Sequence, residues 1–453
     1  MSESTSQAIK NRGGAVSALR NSPARPAIFP VTPEFTNWRS EQQAWRDSVA
    51  LLDQSHHMCD LFISGPDALR LLSDTAVNNF ANFPVNSAKQ FVAVNHEGYL
   101  IGDAIIVREA EDKFDIIGWF MVIDWVQFIG ETGDYDVTFE RDDNSVMRAA
   151  GKDPVLYRYE VQGPRALALM EAVTGEPVPD TNFFGMHTFT IAGKKVNSIR
   201  HGMAGQPGFE LFGPYSERDA VRQAIIDAGE AFDLVLVGAR AYSTANLESA
   251  WVPAPFAAIF TGQRMDEYLE WLPANRMGSI AGSYDSADIE SFYLTPFEIG
   301  YGKVINYDHE FIGKDALLAK KDGPHRQKVT LVWSPEDVAA VQRSMYEPGL
   351  AAKFIEFPKA RYGLYQMDRI EADGKAVGIS LDGGYIYNEK AFVSLAVIDA
   401  EFAEPGTQVE VLWGEDPNST KPNVEPHRQV RIRATVEPAP YSSFARENYR
   451  SNK

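Results

Sequence analysis

The chain reads as α+β over its first 325 residues and as all-β beyond them. Three observations predict this. Helix-like and strand-like stretches are mixed without the regular β-α-β alternation of a doubly wound sheet. Two strand–turn–helix units resemble each other, with their glycines, Gly65 and Gly163, 98 positions apart. After about residue 325 the pattern turns to short alternating strands set between Gly-, Pro- and Asp-rich turns, which is how a small barrel reads.

The elements follow in order. Residues 1–26 are polar and mildly basic, with Lys10, Arg12, Arg20 and Arg25 against Glu3. They lack the apolar segment of a secretory signal. They are poor in acids, as transit peptides are, and are read here as a flexible arm lying over the body. "DLFISGPDALRLLSD" (60–74) is a short strand, a Gly-Pro turn and an amphipathic helix with Leu69 and Leu72 at helical spacing. Pro66 falls where a helix start tolerates a missing N–H. "QFVAVNHEGYLIGDAIIVREAEDKFDIIG" (90–118) alternates apolar and polar residues around an Asn-His-Glu-Gly turn and predicts antiparallel strands. "RYEVQGPRALALMEA" (158–172) repeats the first unit, with Pro164, Leu167 and Met170 in the matching places. Either the chain carries a duplicated unit in two related lobes, or two common Gly-Pro turns coincide. "TFTIAGKKVNSIRHGMAGQPGFELFGP" (188–214) is a second antiparallel set. The terminal strands are "QKVTLVW" (327–333), the stretch 363–398, "GTQVEVLWG" (406–414) and "HRQVRIRATVE" (427–437). The predicted organisation is an arm over 1–26, two interleaved and discontinuous α+β domains over 27–325, and a barrel-like domain over 326–453.

Composition sets limits on function. Among 453 residues, 44% are apolar and 23% charged, so each domain can bury its own core. A single cysteine forms no internal disulfide, so the fold does not depend on an oxidising compartment. No run of about 18 apolar residues is present to span a membrane. The net charge of −19 argues against sequence-independent nucleic-acid binding, which needs an excess of Lys and Arg. These features predict a cytoplasmic protein without nucleic-acid or membrane partners; they do not fix the oligomeric state, for which a monomer or weak homo-oligomer is the expectation.

Phosphate-loop, nucleophile-elbow, zinc-protease and CxxC motifs are absent. "LLDQSHHMCDLF" (51–62) gathers Gln54, His56, His57 and Cys59. Adjacent histidines diverge on a strand or a helix, so one metal is not easily shared between them; no metal is expected. Cys59 has no recognisable base and reads as a small buried residue. Two readings remain. Gln54 and one histidine are neutral hydrogen-bonding groups facing a pocket, or the histidine is satisfied within the core.

Four segments, in order along the chain, resemble the aminomethyltransferase family, the tetrahydrofolate-binding T-protein of the glycine cleavage system and its relatives. They are "GMAGQPGFELFGP" (202–214), "VGARAYSTANLESA" (237–250), "LTPFEIGYGKVINYDHEFIGKDAL" (294–317) and "VGISLDGGYIYNEKAFVSLAVI" (377–398). "EFTNWRSEQQAWRDSVALLDQSHHM" (34–58), the extra length, and Tyr242 where a T-protein has Asp are closer to the bacterial tetrahydrofolate-dependent aryl O-demethylases of the vanillate, syringate and dicamba type. The resemblance implies a three-domain ring, or cloverleaf, around a central folate channel, the two lobes of 27–325 being the folate-binding ones. It implies methyl transfer from a methoxylated aromatic acid to N5 of tetrahydrofolate, giving 5-methyltetrahydrofolate and a phenol, with no metal needed.

The resemblance also implies roles. Tyr242 is the candidate general acid toward the departing oxygen, and His57 the histidine that holds substrate or relays a proton. Glu210 is the carboxylate that accepts the paired N–H donors of a pterin; as a bare residue, without the family pattern, it reads rather as a solvated strand glutamate. Trp251 stacks on a ring or fills core. Glu298 and Tyr301 shape the folate channel, and Arg240 is an ion-pair residue. Gln54, Trp119, Phe29 and Ile28 are the candidate substrate wall.

The family pattern also fails in places. Vanillate-type enzymes carry a carboxylate-binding arginine near the segment that here reads "IIGWFMVIDW" (116–125), where there is none. Ile28 and Phe29 stand where tyrosines are expected. The sequence therefore predicts an apolar pocket with Trp119 replacing part of the ionic grip, suited to a less hydroxylated donor. Two alternatives remain open: a folate-dependent demethylase of a sulfonium or quaternary ammonium compound, held by Trp119, Trp125 and Trp251, and a non-catalytic folate-binding or T-protein-like protein.

Overall fold

The computed structural model describes residues 3–448. From the N-terminus, the strands are β1 (Val49–Asp53), β2 (Cys59–Ser64), β3 (Ser87–Val94), β4 (Leu100–Ala110), β5 (Lys113–Gly118), β6 (Thr138–Asp142), β7 (Leu156–Gln162), β8 (Met186–Ile191), β9 (Lys194–Arg200), β10 (Gly208–Pro214) and β11 (Leu234–Val237). They form two sheets. One has the order β11-β1-β7-β10-β9-β8, the other β3-β4-β5-β2-β6. The chain enters the first sheet at β1, leaves through a five-residue turn to build the second sheet, and returns at β7. That turn, Gln54 to Met58, is the stretch in which Gln54 and the two histidines cluster.

The two Gly-Pro units adopt the same local geometry. Gly65 and Gly163 both sit at strongly positive φ, 141° and 134°. A Cβ at either would collide with a backbone carbonyl, that of Asp136 or of Ser48, so only glycine makes the turn without strain. Helices Ala68–Thr75 and Ala166–Thr174 follow. Each begins two residues beyond its proline.

Alternation decides what each sheet buries. In β7, Tyr157, Tyr159 and Val161 face a core with helices Ala166–Thr174 and Arg218–Gly229. Arg158, Glu160 and Gln162 point the other way and are equally buried. The second sheet packs Leu61, Ile63 and Phe91 against Trp125 and Phe128 of helix Phe120–Thr132. Residues near the N-terminus join this core. Helices Thr5–Asn11 and Ala15–Arg20 bury Ala8, Ala18 and Leu19 in it.

Beyond residue 325, six strands close on themselves. Asp368–Ala372, Lys375–Ile386, Ala391–Ile398, Gln327–Trp333, Val430–Glu437 and Gln408–Trp413 pair in a ring of antiparallel ladders. Trp333, Trp413, Val411 and Ile432 fill its interior. Closure removes the exposed edges an open sheet would present.

Candidate active site

Two adjoining cavities share Met58, Met203 and Trp251 as common walls. The first, of about 360 Å³, lies between the two sheets, with Lys328 of the barrel on its rim. The second, of about 480 Å³, is bounded by residues 26–33, the Gln54–Met58 turn, helix Ala239–Tyr242 and residues 356–361.

Glu210 lines the first cavity on β10, where Phe209 and Leu211 face the opposite core. Register places it directly across from Glu160 of β7. Arg158 counters this acidity. It gives Nη1 to Glu210 at 3.3 Å and Nη2 to Asp115 at 3.0 Å, and it pairs with Asp60. One guanidinium thus meets three buried carboxylates. Burial lifts Glu210 above the usual carboxylate range, with Arg158 acting against the rise. Burial, reinforced by Asp60, pushes Asp115 well above that range.

Gln54, His57 and Tyr242 come together where the cavities meet. Gln54 Nε2 donates to Glu160, and the backbone N–H of Met203 donates to the other Glu160 oxygen at 2.6 Å. Burial pushes Glu160 up to about 8, the neighbouring Glu210 adding to it. Tyr242 closes helix Ala239–Tyr242, and a break precedes helix Ala245–Ser249. Its hydroxyl lies 3.6 Å from Met203 Sδ. Burial, with Glu160 and Glu210 nearby, raises the phenol well above its ordinary value, and a hydrogen bond with Gln54 opposes the shift. Tyr242 therefore keeps its proton at neutral pH and is a donor.

His57 is held between Phe29 and Tyr242, with ring centroids 4.1 and 4.2 Å away. Burial and the adjacent His56 pull it down to about 3, so it is a neutral imidazole. His56 turns away and meets Ser145 Oγ at 2.8 Å. Cys59 is buried, accepts a hydrogen bond from the Asn144 N–H, and is pushed up to about 12 by burial. It is no thiolate.

Trp251 Nε1 donates to Asp103 Oδ2 at 3.1 Å, and Tyr301 Oη donates to the same oxygen at 2.8 Å. All three line the first cavity. Trp119 and Phe29 line the second; Ile28 does too, although it is 88% exposed. Arg240 pairs with Glu34 at 2.9 Å, as an ion-pair residue should. Glu298 stands apart from both cavities. Its oxygens accept from Thr295 N at 2.6 Å and Arg326 Nε at 2.6 Å, so it braces the loop that carries Tyr301. Among the described residues, no group of three or more His, Cys, Asp or Glu is arranged to hold a metal ion, and no helix is long and apolar enough to cross a membrane.

Sequence reasoning passed over Asp103, Glu160 and Arg158. Each is a polar residue in an alternating strand, where that pattern ordinarily marks the solvent side. In β7 the opposite sheet covers that side. A charged residue flanked by glycine at "GDA" (102–104) was the one available hint.

Residues 7–254 match the family described as the GCVT N-terminal domain. A syringate O-demethylase of Sphingobium sp. is 44% identical over 99% of this chain and 98% of its own length. A sesamin methylene transferase of Sinomonas sp. is 28% identical over 85% of this chain and 84% of its own. In three dimensions, the glycine cleavage system aminomethyltransferase T of Bartonella henselae covers 93% of this chain and 95% of its own at a TM-score of 0.61 and 17% identity, a likeness of fold. The cloverleaf of two α+β lobes and a barrel accords with that fold.

Proposed function

The chain belongs to the GCVT family, and from that premise we propose that it is a methyltransferase that takes the methyl group of a methoxylated aromatic acid and passes it to N5 of tetrahydrofolate. The carrying observation is that a buried carboxylate, Glu210, and a protonated phenol, Tyr242, line two cavities that share one wall. In the reaction the methyl–oxygen bond breaks and the nitrogen–methyl bond forms. N5 gives up its proton, and the phenolic oxygen gains one.

The first cavity suits the folate. Glu210 offers a carboxylate to paired N–H donors. His201 and Phe184 present near-parallel rings, 11° apart, and Trp251 is held by Asp103 for stacking. Tetrahydrofolate supplies the nucleophile when bound. The protein's own work is alignment, water exclusion and proton supply. Tyr242 meets the oxygen that departs. His57, neutral and wedged against Phe29, fixes the phenol ring and presents a hydrogen-bonding nitrogen; its Nδ1 is buried without a partner. A phenolate leaves more readily when its charge is met in a site of low dielectric.

The second cavity suits the donor, with Phe29, Ile28 and Trp119 as apolar surface against the ring. Arg361 on its wall speaks against a sulfonium or quaternary ammonium donor. The test is to incubate the protein with tetrahydrofolate and syringate, vanillate, dicamba or guaiacol, and to detect 5-methyltetrahydrofolate by mass spectrometry. Formation with at least one aryl ether is expected. Failure of calorimetry to detect any reduced-folate binding would overturn the reading.

A further inference from the structure

The carboxylate-binding arginine expected of vanillate-type enzymes is missing from the segment 116–125, yet the donor cavity is lined by three cations from other parts of the chain: Arg240, Lys359 and Arg361. Two of them are committed. Arg240 gives Nη1 to Glu34 at 2.9 Å and Nη2 to the Phe357 carbonyl at 2.7 Å. Lys359 Nζ meets Asp382 Oδ2 at 2.5 Å and Asn246 Oδ1 at 3.4 Å. Arg361 is half-buried and makes no hydrogen bond or ion pair among the described residues.

Two acids border the same cavity. Asp382 Oδ2 is taken by Lys359 and by Asn246 Nδ2 at 3.0 Å. Its Oδ1 is buried and not engaged by Arg361. Glu356 is exposed. Arg361 sits where the donor cavity opens into a narrower cleft lined by Pro253, Leu364 and Asp382. The path back to the chemistry is short. Arg361 follows Lys359 by two residues, Lys359 touches Asn246, and Asn246 stands four residues from Tyr242.

No nitrogen of the Arg361 guanidinium is both buried and unpartnered, so its fork is open to whatever enters the cavity. Its planar fork matches a carboxylate with two parallel hydrogen bonds, which an ammonium does not. We propose that Arg361 receives the ring carboxylate of the aromatic acid whose methoxy group is presented to Tyr242. This rests on the demethylase reading above and names its substrate class as an anion. It replaces the expectation that hydrophobic contact with Trp119 stands in for the ionic grip. Trp119 keeps its place on the apolar wall.

The test compares each methoxybenzoate that is turned over with its uncharged benzamide, using wild type, Arg361→Ala and Arg361→Lys. Thermal melts first establish that the variants are folded. Loss of one charge-assisted contact is expected to collapse the acid-over-amide preference in kcat/KM by at least about tenfold in Arg361→Ala, mainly through KM, with partial recovery in Arg361→Lys. Calorimetry with the corresponding hydroxybenzoate, the demethylated product, reads the same site without turnover. There Arg361→Ala should weaken affinity by a similar factor. An unchanged preference, an unchanged product affinity, or no binding of benzoates by the wild type would overturn the proposal. Absence of turnover with every methoxyarene, while benzoates still bind through Arg361, would instead count against the demethylase reading.

Discussion

The imidazole of His57 lies 4.2 Å from the phenol of Tyr242, centroid to centroid and tilted by 44°. One ring is kept uncharged by burial and the other keeps its proton for the same reason. The pair is therefore a neutral donor assembly, and its behaviour can be tested separately at each residue.

Replacing Tyr242 by Phe removes the hydroxyl and little else, since the ring contact with His57 persists. If the phenol protonates the leaving oxygen, single-turnover rates should fall by about 10²-fold or more, with tetrahydrofolate affinity nearly unchanged. A rate within a few-fold of wild type would assign the proton to another donor.

His57 gives a stability signature in acid. Its pKa is held at about 3 in the fold against an ordinary value of 6.5. Its contribution is complete above pH 6.5 and is lost as the pH falls toward 3, because the unfolded chain takes up a proton that the folded one refuses. His57→Asn should flatten this limb in melts between pH 6.5 and 4. Parallel curves for variant and wild type would contradict the assignment.

Glu160 behaves in the opposite sense. Its folded value of about 8 lies above the ordinary 4.5. Its contribution is present below pH 4.5 and is lost as the pH rises through 8. Glu160→Gln should gain on wild type in melting temperature from pH 5 to 8.5, by roughly 1 °C for each kcal/mol recovered in a chain of 453 residues. The same variant loses the firm hold on Gln54, so a fall in turnover alongside the gain in stability is expected.

Asp103 is the shared acceptor of Trp251 and Tyr301. Asp103→Ala leaves an indole N–H and a phenol without their acceptor, at a cost of about 1–3 kcal/mol each where no water replaces it. Denaturant unfolding should report that loss, and titration with tetrahydrofolate should show weaker binding as Trp251 loses its fixed orientation. Unchanged folate affinity would remove Trp251 from the folate wall.

Much of this architecture was readable from local pattern. The Gly-Pro turns at 65–66 and 163–164 were visible because only glycine reaches their backbone angles without strain. The barrel was visible because period-two alternation and turn residues are local signals. Glu210, Gln54, His57 and Tyr242 came from segments whose order along the chain matched a family. Glu298 came from the same source, yet its carboxylate is spent on Thr295 and Arg326. A motif marks a segment, not the direction in which each side chain points.

The sequence by itself determined which residues alternate, where the chain must turn, and which segments carry the chemistry of a methyltransferase. Only the tertiary structure decided what covers the polar face of β7, that Glu160 stands opposite Glu210, and that Arg361, more than a hundred residues beyond Tyr242, borders the same cavity. The reason is physical. Periodicity distinguishes the two faces of a strand, but strand register and barrel closure bring together residues far apart in sequence, and those contacts settle whether a charged side chain meets water, an ion pair or a substrate.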